Sequence, residues 1–178
     1  MHKTPIGLSA CLYDCPVRYN GKRFDAVSKL GRERAGVRVV ILKEKSPSCG
    51  LFRVRIGANR RREVLGAGVF GALLKRTGWF LIPDTALDSA LTGWDWRRMR
   101  AWLWLSDRAI ASNGDLTSAW HVVKFIVQET QRAEAGAIGR ELAALPKRAP
   151  AARLEELRGR MFDALRIPTT KQRALSYL

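Results

Sequence analysis

An apolar run over residues 37–42, rich in β-branched side chains, constrains the fold of this chain more than any other feature. Such a run predicts a buried strand. The strand is expected to end before Ser46-Pro47. Proline fixes its own φ and Gly50 permits a tight turn, so an extended chain does not continue past this point. Cys49 is therefore expected just beyond the carboxyl end of a strand, where open α/β sheets bind ligands. The alternative is an ordinary turn with a half-buried cysteine.

A second strand and a second cysteine loop come earlier in the chain. Residues 5–10 predict a short buried strand that leads into a loop containing Cys11 and Cys15 and ending in an Asn-Gly turn signal. Apolar spacing predicts a short helix over residues 24–34. The order of strand, cysteine loop, helix, strand and cysteine loop predicts a βαβ unit, which places both cysteine loops at one edge of a parallel sheet.

The segment after Gly50 completes the first domain. Its hydrophobic patterns predict three elements, namely a half-exposed strand over residues 51–56, a helix over 64–76 and a buried strand over 79–82. Arg60, Arg61 and Arg62 form a basic turn within this segment. These arginines either contact phosphate or belong to a solvated loop.

The predicted fold class is α/β, followed by an all-helical C-terminal region. A small three-layer, parallel-type sheet with flanking helices is expected over residues 1–88. A Trp/Arg-rich helical connector follows over 89–116, and a helical domain, expected to be incomplete, over 117–178. The connector either stacks bases and holds phosphates or packs one face of an amphipathic helix inward. Asp115 or Thr117 is expected to cap the next helix.

The charge and the cysteine content of the chain indicate what kind of partner it binds and in which compartment it is found. The chain has 32 Lys and Arg against 16 Asp and Glu, a formal charge of +16 that favours an anionic partner such as RNA. Three cysteines, without a secretory signal, disfavour a disulfide scaffold and favour metal ligands or reduced thiols. Because no apolar stretch is long enough to span a bilayer, we expect a cytoplasmic protein with no membrane partner.

Three motifs together resemble those of a known family. They are Ile-Gly-Leu-Ser-Ala-Cys-Leu at residues 6–12, Pro-Val-Arg-Tyr-Asn-Gly at 16–21 and Lys-Ser-Pro-Ser-Cys-Gly at 45–50. In this order they resemble the bacterial thiouracil desulfidase-like family. Residues 66–74 also resemble that family's glycine-introduced final helix, and the resemblance covers residues 5–85. The C-terminal region weakly resembles a helical domain often fused behind the desulfidase-like domain.

The resemblance implies an α/β fold that carries a 4Fe-4S cluster on three thiolates, with one iron left open as a Lewis acid. In that chemistry water replaces the sulfur of a thiolated pyrimidine at the ring carbon, without redox change. By the resemblance, Cys11 and Cys49 would be cluster ligands. Ser46 would be an active-site hydroxyl that orients substrate or relays a proton, and Ser48 and Arg18 would bind substrate.

The sequence departs from the family pattern between the two cysteine motifs. There the family has a longer segment with a Cys-Pro-Glu motif, which supplies the third thiolate and an acidic catalytic residue. Neither is present here. Cys15 is the one remaining thiol and so the candidate third ligand, and Glu44 is the only acidic residue beside the second cysteine motif.

These observations lead to one expected function and two open alternatives. The expected function is a desulfidase that cleaves the carbon–sulfur bond of a thiolated nucleobase or nucleotide. The first alternative is a cluster-free basic protein that binds RNA or serves as a scaffold. The second is a shortened relative that has lost its function.

Overall fold

The computed structural model describes residues 5–9, 37–56, 64–87, 92–168, 170 and 172. By its internal contacts the chain divides into two compact units, Met1–Ser89 and Ala90–Leu178. The short helix predicted over residues 24–34 lies outside the described residues.

A small parallel sheet forms the centre of the first unit. Its strands are β1 (Ile6–Leu8), β2 (Val39–Leu42) and a later strand, β5 (Phe80–Pro83). The strand order is β1-β2-β5 and both pairings are parallel. The carboxyl ends of all three strands therefore lie at one edge of the sheet, which confirms the predicted α/β class.

An antiparallel ribbon and a short helix connect β2 to β5. The ribbon pairs β3 (Val54–Ile56) with β4 (Val64–Gly66), and helix α1 (Val69–Lys75) follows. A single turn of 3-10 helix, Asp84–Ala86, continues from β5.

For two elements in this connection the predicted starting residue was wrong. The strand expected from residue 51 begins only at Val54, because the N–H groups of residues 51–53 donate to a side chain instead of to a neighbouring strand. The helix expected from residue 64 begins only at Val69, because residues 64–66 pair with β3.

The core of the first unit lies on β2, whose four residues are all buried. Apolar contacts join Val40 and Leu42 of this strand to Leu51 and Leu74. Cys49 and three aromatic or aliphatic side chains pack against this cluster while partly exposed, namely Phe70, Trp79 and Leu81. The loop that carries Cys49 is therefore continuous with the core.

Four helices make up the described part of the second unit. They are α2 (Thr92–Ser106), α3 (Asn113–Thr130), α4 (Arg132–Ala143) and α5 (Ala151–Arg166). The faces that pack together bury Leu105, Val123, Ile138, Leu157 and Met161 completely or almost completely. Helix therefore predominates here, as predicted. Among the described residues, none of the helices has the length and apolarity needed to cross a bilayer.

Helix α2 contains most of the Trp/Arg-rich segment and packs one face inward. Arg98, Trp102 and Leu105 are all buried on that face, and the Trp102 ring meets the Phe162 ring edge-on at 5.6 Å between centroids. The Arg98 guanidinium pairs with Asp95 and donates to two backbone carbonyl oxygens at the end of α5. This cation therefore satisfies acceptors that the end of a helix leaves unpaired.

The N-terminus of α3 is capped by Ser112, not by Asp115 or Thr117 as predicted. Ser112 Oγ accepts from the Asp115 N–H at 3.2 Å, and the Asp115 carboxylate accepts from the Ser112 hydroxyl and the Ala111 N–H. This reciprocal arrangement is a capping box. The hydrogen bond from Ser112 is the main cause that lowers the pKa of Asp115.

Candidate functional site

The loop after β2 brings together the three site residues predicted in the second cysteine motif. The Cys49 N–H donates to Ser46 Oγ at 3.3 Å, and the Ser46 and Ser48 hydroxyl oxygens lie 3.1 Å apart. The Cys49 thiol reaches Ser48 Oγ at 3.9 Å. Cys49 and Ser46 are half-buried and Ser48 is exposed. One thiol and two hydroxyls therefore form a cluster that solvent can reach.

The ends of the neighbouring strands lie beside this loop. The N–H of Ser9, which directly follows β1, donates to the Ile41 carbonyl of β2 at 3.0 Å. On the other side, Oδ1 of Asp84, which directly follows β5, accepts from the Glu44 N–H at 2.8 Å. The site therefore lies at the carboxyl edge of the sheet, where this class of fold binds ligands.

Glu44 organises the loop from inside, a role that the sequence did not reveal. Its side chain is almost completely buried, at 2% exposure. Carboxylate Oε2 accepts from the Leu51 N–H at 3.1 Å, and Oε1 accepts from Phe52 and Arg53 at 2.7 and 2.5 Å. Because it is buried and accepts from three backbone N–H groups, this carboxylate is directed into the loop. The one sequence signal was an acidic residue two positions after the end of a buried strand.

The start of helix α1 approaches the backbone of the Cys49 loop closely. The Ser48 carbonyl accepts from Phe70 and Gly71 at 2.8 and 3.1 Å, and the Gly50 carbonyl accepts from Gly68 at 2.8 Å. A Cβ on Gly68 would lie 2.5 Å from the Ser48 carbonyl carbon. Glycine is therefore required where the helix crosses the loop.

Basic side chains surround the loop. Lys43, Lys45 and Arg53 are exposed. Lys75 of α1 donates to the Leu51 carbonyl at 2.6 Å, with its ammonium group 4.4 Å from the centroid of the Phe52 ring. The loop, its flanking residues and the helix that contacts it therefore carry four basic side chains, which suits an anionic ligand.

Of the three cysteines suggested as cluster ligands, Cys49 lies within the described part of the chain. The described residues contain no group of three or more His, Cys, Asp or Glu side chains placed to hold a metal ion. The remaining predicted site residues lie outside the described residues, namely Cys11, Cys15, Arg18, Arg60, Arg61 and Arg62. The assignment of Cys11 and Cys15 as cluster ligands therefore stays a prediction.

Comparison with known proteins found a similarity over 52 residues. In this stretch the chain is 42% identical to a protein of Bacillus subtilis (strain 168) that bears the name "Uncharacterized protein YbbK". The stretch makes up 29% of this chain and 34% of that protein, so the chain spans about a third of the length of the curated relative. No family model matches the chain. No solved structure matches it either.

Proposed function

We propose that this protein is a desulfidase that uses an iron–sulfur cluster to remove the sulfur of a thiolated pyrimidine of the thiouracil type. The observation that carries the proposal is the position of Cys49. Its half-buried thiol lies at the carboxyl edge of a parallel sheet, next to two hydroxyls. The resemblance of both cysteine motifs to the thiouracil desulfidase-like family supports the same function.

Three cysteines would hold the cluster in this proposal. Cys49 supplies one thiolate from the loop after β2. Cys11, two residues beyond Ser9 in the sequence, would supply the second from the loop after β1, and Cys15 the third. A cluster held in this way supplies an iron with an open coordination position for the sulfur of the substrate.

The two serines would handle the proton in the net reaction, in which water and the C=S group give C=O and hydrogen sulfide. Ser46 Oγ already accepts from the Cys49 N–H, so its own hydrogen is available to Ser48 or to the substrate. Since the hydroxyls lie 3.1 Å apart and Ser48 is exposed, the pair forms a path between substrate and solvent. This path does not include Glu44, whose buried carboxylate accepts from the backbone of the loop.

The test is anaerobic reconstitution with iron and sulfide, followed by iron and sulfide analysis and an assay with 2-thiouracil. We expect a brown protein with charge-transfer absorbance that releases sulfide from the substrate. Cys49→Ala should lose the absorbance. Ser46→Ala should keep it and lose about a hundredfold in turnover. The matched control is Ser118→Ala, an exposed serine on helix α3. A protein that stays colourless after reconstitution contradicts the proposal.

A second candidate function, binding of RNA without a cluster, is favoured by charge. The formal charge is +16, and Lys43, Lys45 and Arg53 are exposed around the loop. For this function the affinity for single-stranded RNA should fall steeply as salt rises, because bound cations are released from phosphate. Arg53→Glu should weaken binding and Cys49→Ala should not. RNA binding that is absent, or insensitive to salt, counts against this candidate.

A further inference from the structure

We propose that Glu44 and Asp84 are positioning residues, which fix the Cys49 thiol at the carboxyl edge of the sheet. The sequence did not suggest Asp84, and it suggested Glu44 only as the acidic residue beside the second cysteine motif. The importance of this positioning for sulfur removal rests on the proposed function, whereas its effect on the thiol can be measured without any cluster.

The Glu44 carboxylate closes the loop that contains Cys49. It reaches from residue 44 to the N–H groups of residues 51–53, so the intervening chain forms a ring held at both ends. Inside this ring the Gly50 N–H donates to the Ser46 carbonyl at 2.9 Å, and the Cys49 N–H donates to Ser46 Oγ. The backbone of Cys49 therefore has little freedom while the ring is closed.

Burial makes the Glu44 contacts hard to replace. A buried carboxylate is tolerated when its oxygens accept hydrogen bonds, and three backbone donors fulfil that need here. Glutamine has the same size, but only its oxygen accepts. With that oxygen facing Phe52 and Arg53, its NH2 group would face the Leu51 N–H, donor against donor. Glu44→Gln therefore opens the ring on the side of Leu51 and adds no bulk.

Asp84 fixes the backbone at Glu44, where the loop begins. Its Oδ1 accepts from the Glu44 N–H at 2.8 Å and so ties the loop to the end of β5. An asparagine oxygen can accept the same hydrogen bond, whereas alanine cannot. Asp84→Asn and Asp84→Ala therefore form a matched pair, which separates the hydrogen bond from the charge.

The experiment measures the rate of alkylation of Cys49 by iodoacetamide, at one fixed pH, in the chain of residues 1–178 without a cluster. Cys11→Ser and Cys15→Ser in every sample leave Cys49 as the single thiol. Circular dichroism verifies that each variant is folded before its rate is compared. The reference is an unstructured peptide with the sequence of residues 43–53.

We expect Glu44→Gln and Asp84→Ala to raise the alkylation rate at least about fivefold, towards the rate of the peptide, because the loop that half-buries the thiol is held less firmly. Asp84→Asn should stay within about twofold of the unchanged protein, since it keeps the acceptor. A purely structural role would lower the melting temperature and leave the alkylation rate of the folded protein unchanged.

Two results would overturn the proposal. The first is an unchanged alkylation rate in both Glu44→Gln and Asp84→Ala. The second is an equal change in Asp84→Asn and Asp84→Ala. If Glu44→Gln does not fold, the Asp84 pair decides alone. Failure of cluster reconstitution contradicts the proposed function and leaves these rates unaffected, so the two proposals can fail separately.

Discussion

Gly71 of helix α1 lies so close to Gly50 that a Cβ on Gly71 would stand 2.4 Å from the Gly50 carbonyl oxygen. Real Cβ atoms do not approach a backbone oxygen at this distance. The Cys49 carbonyl oxygen would lie 2.9 Å away as well, and since all these atoms belong to the backbone, no side chain can rotate away to make room. The fold around Cys49 therefore depends on a hydrogen at this position of the helix.

Gly71→Ala should destabilise the first unit by about 1–3 kcal/mol, because the added methyl group forces the helix and the loop apart. The gain in helix propensity from alanine is smaller and does not offset this cost. Hydrogen exchange of the β2 amides, followed by mass spectrometry, measures the change. Exchange as slow as in the unchanged protein would show that the crossing is looser than the structure indicates.

Gly159→Ala is the matched control and a prediction of its own. Gly159 lies within α5, and a Cβ there would meet nothing within 4 Å. Alanine should therefore stabilise the second unit by about 0.5–1 kcal/mol, because it restricts the unfolded chain and favours helix. Urea unfolding monitored by circular dichroism at the helix band measures the gain. A loss of stability would contradict the open surroundings of this residue.

Ser112→Ala should cost the second unit about 1 kcal/mol, because it removes the N-cap of α3 and leaves the Asp115 N–H without its acceptor. Ser112→Thr keeps an oxygen in the same place and should recover most of the loss. Urea unfolding gives both values. Ser118→Ala, on the exposed face of the same helix, should be close to neutral. Equal losses at the two serines would argue against a capping role.

The free energy of unfolding of the second unit should fall in acid, because protonation of Glu141 removes its ion pairs. Hydrogen bonds and charge from Arg160, and then from Arg153, lower the pKa of this carboxylate. A lowered folded pKa means that the stabilisation is fully present above the unfolded value, about 4.3, and is lost as the pH falls towards the folded value. Glu141→Gln should destabilise the unit at neutral pH and match the unchanged protein in strong acid.

The measurement for this prediction is urea unfolding at a series of pH values. In the unchanged protein the free energy of unfolding should decline more steeply below the unfolded pKa than in Glu141→Gln. Salt at about 1 M should reduce the difference, because the ion pairs are partly exposed. Parallel curves for the two proteins would exclude a contribution from Glu141.

The sequence predicted those parts of the fold that depend on local pattern. The β-branched run before Lys43 became β2, and the Ser-Pro-Ser-Cys-Gly motif became a tight turn at the end of that strand. The strand expected from residue 51 began late because Glu44 takes the N–H groups that a strand would have used. That contact depends on a buried side chain finding backbone donors, and no periodicity reveals it.

In the candidate site, too, the local features could be predicted from the sequence and the long-range contacts could not. Ser46, Ser48 and Cys49 are close in sequence, and their proximity could be predicted from the motif alone. Asp84 could not be connected to Glu44, because their hydrogen bond joins the ends of two strands far apart in the chain. Only the order of strands in the sheet makes β2 and β5 neighbours, and apolar runs do not specify that order.

The hydrogen bonds from Phe70 and Gly71 to the Ser48 carbonyl have a consequence for how a substrate would enter. Helix α1 holds the Cys49 loop from one side while the Glu44 carboxylate holds it from the other. A loop anchored on both sides cannot act as a lid that closes over its ligand. A ligand that binds at this edge would therefore meet a surface that is already formed, and its affinity would depend on how well it fits that surface.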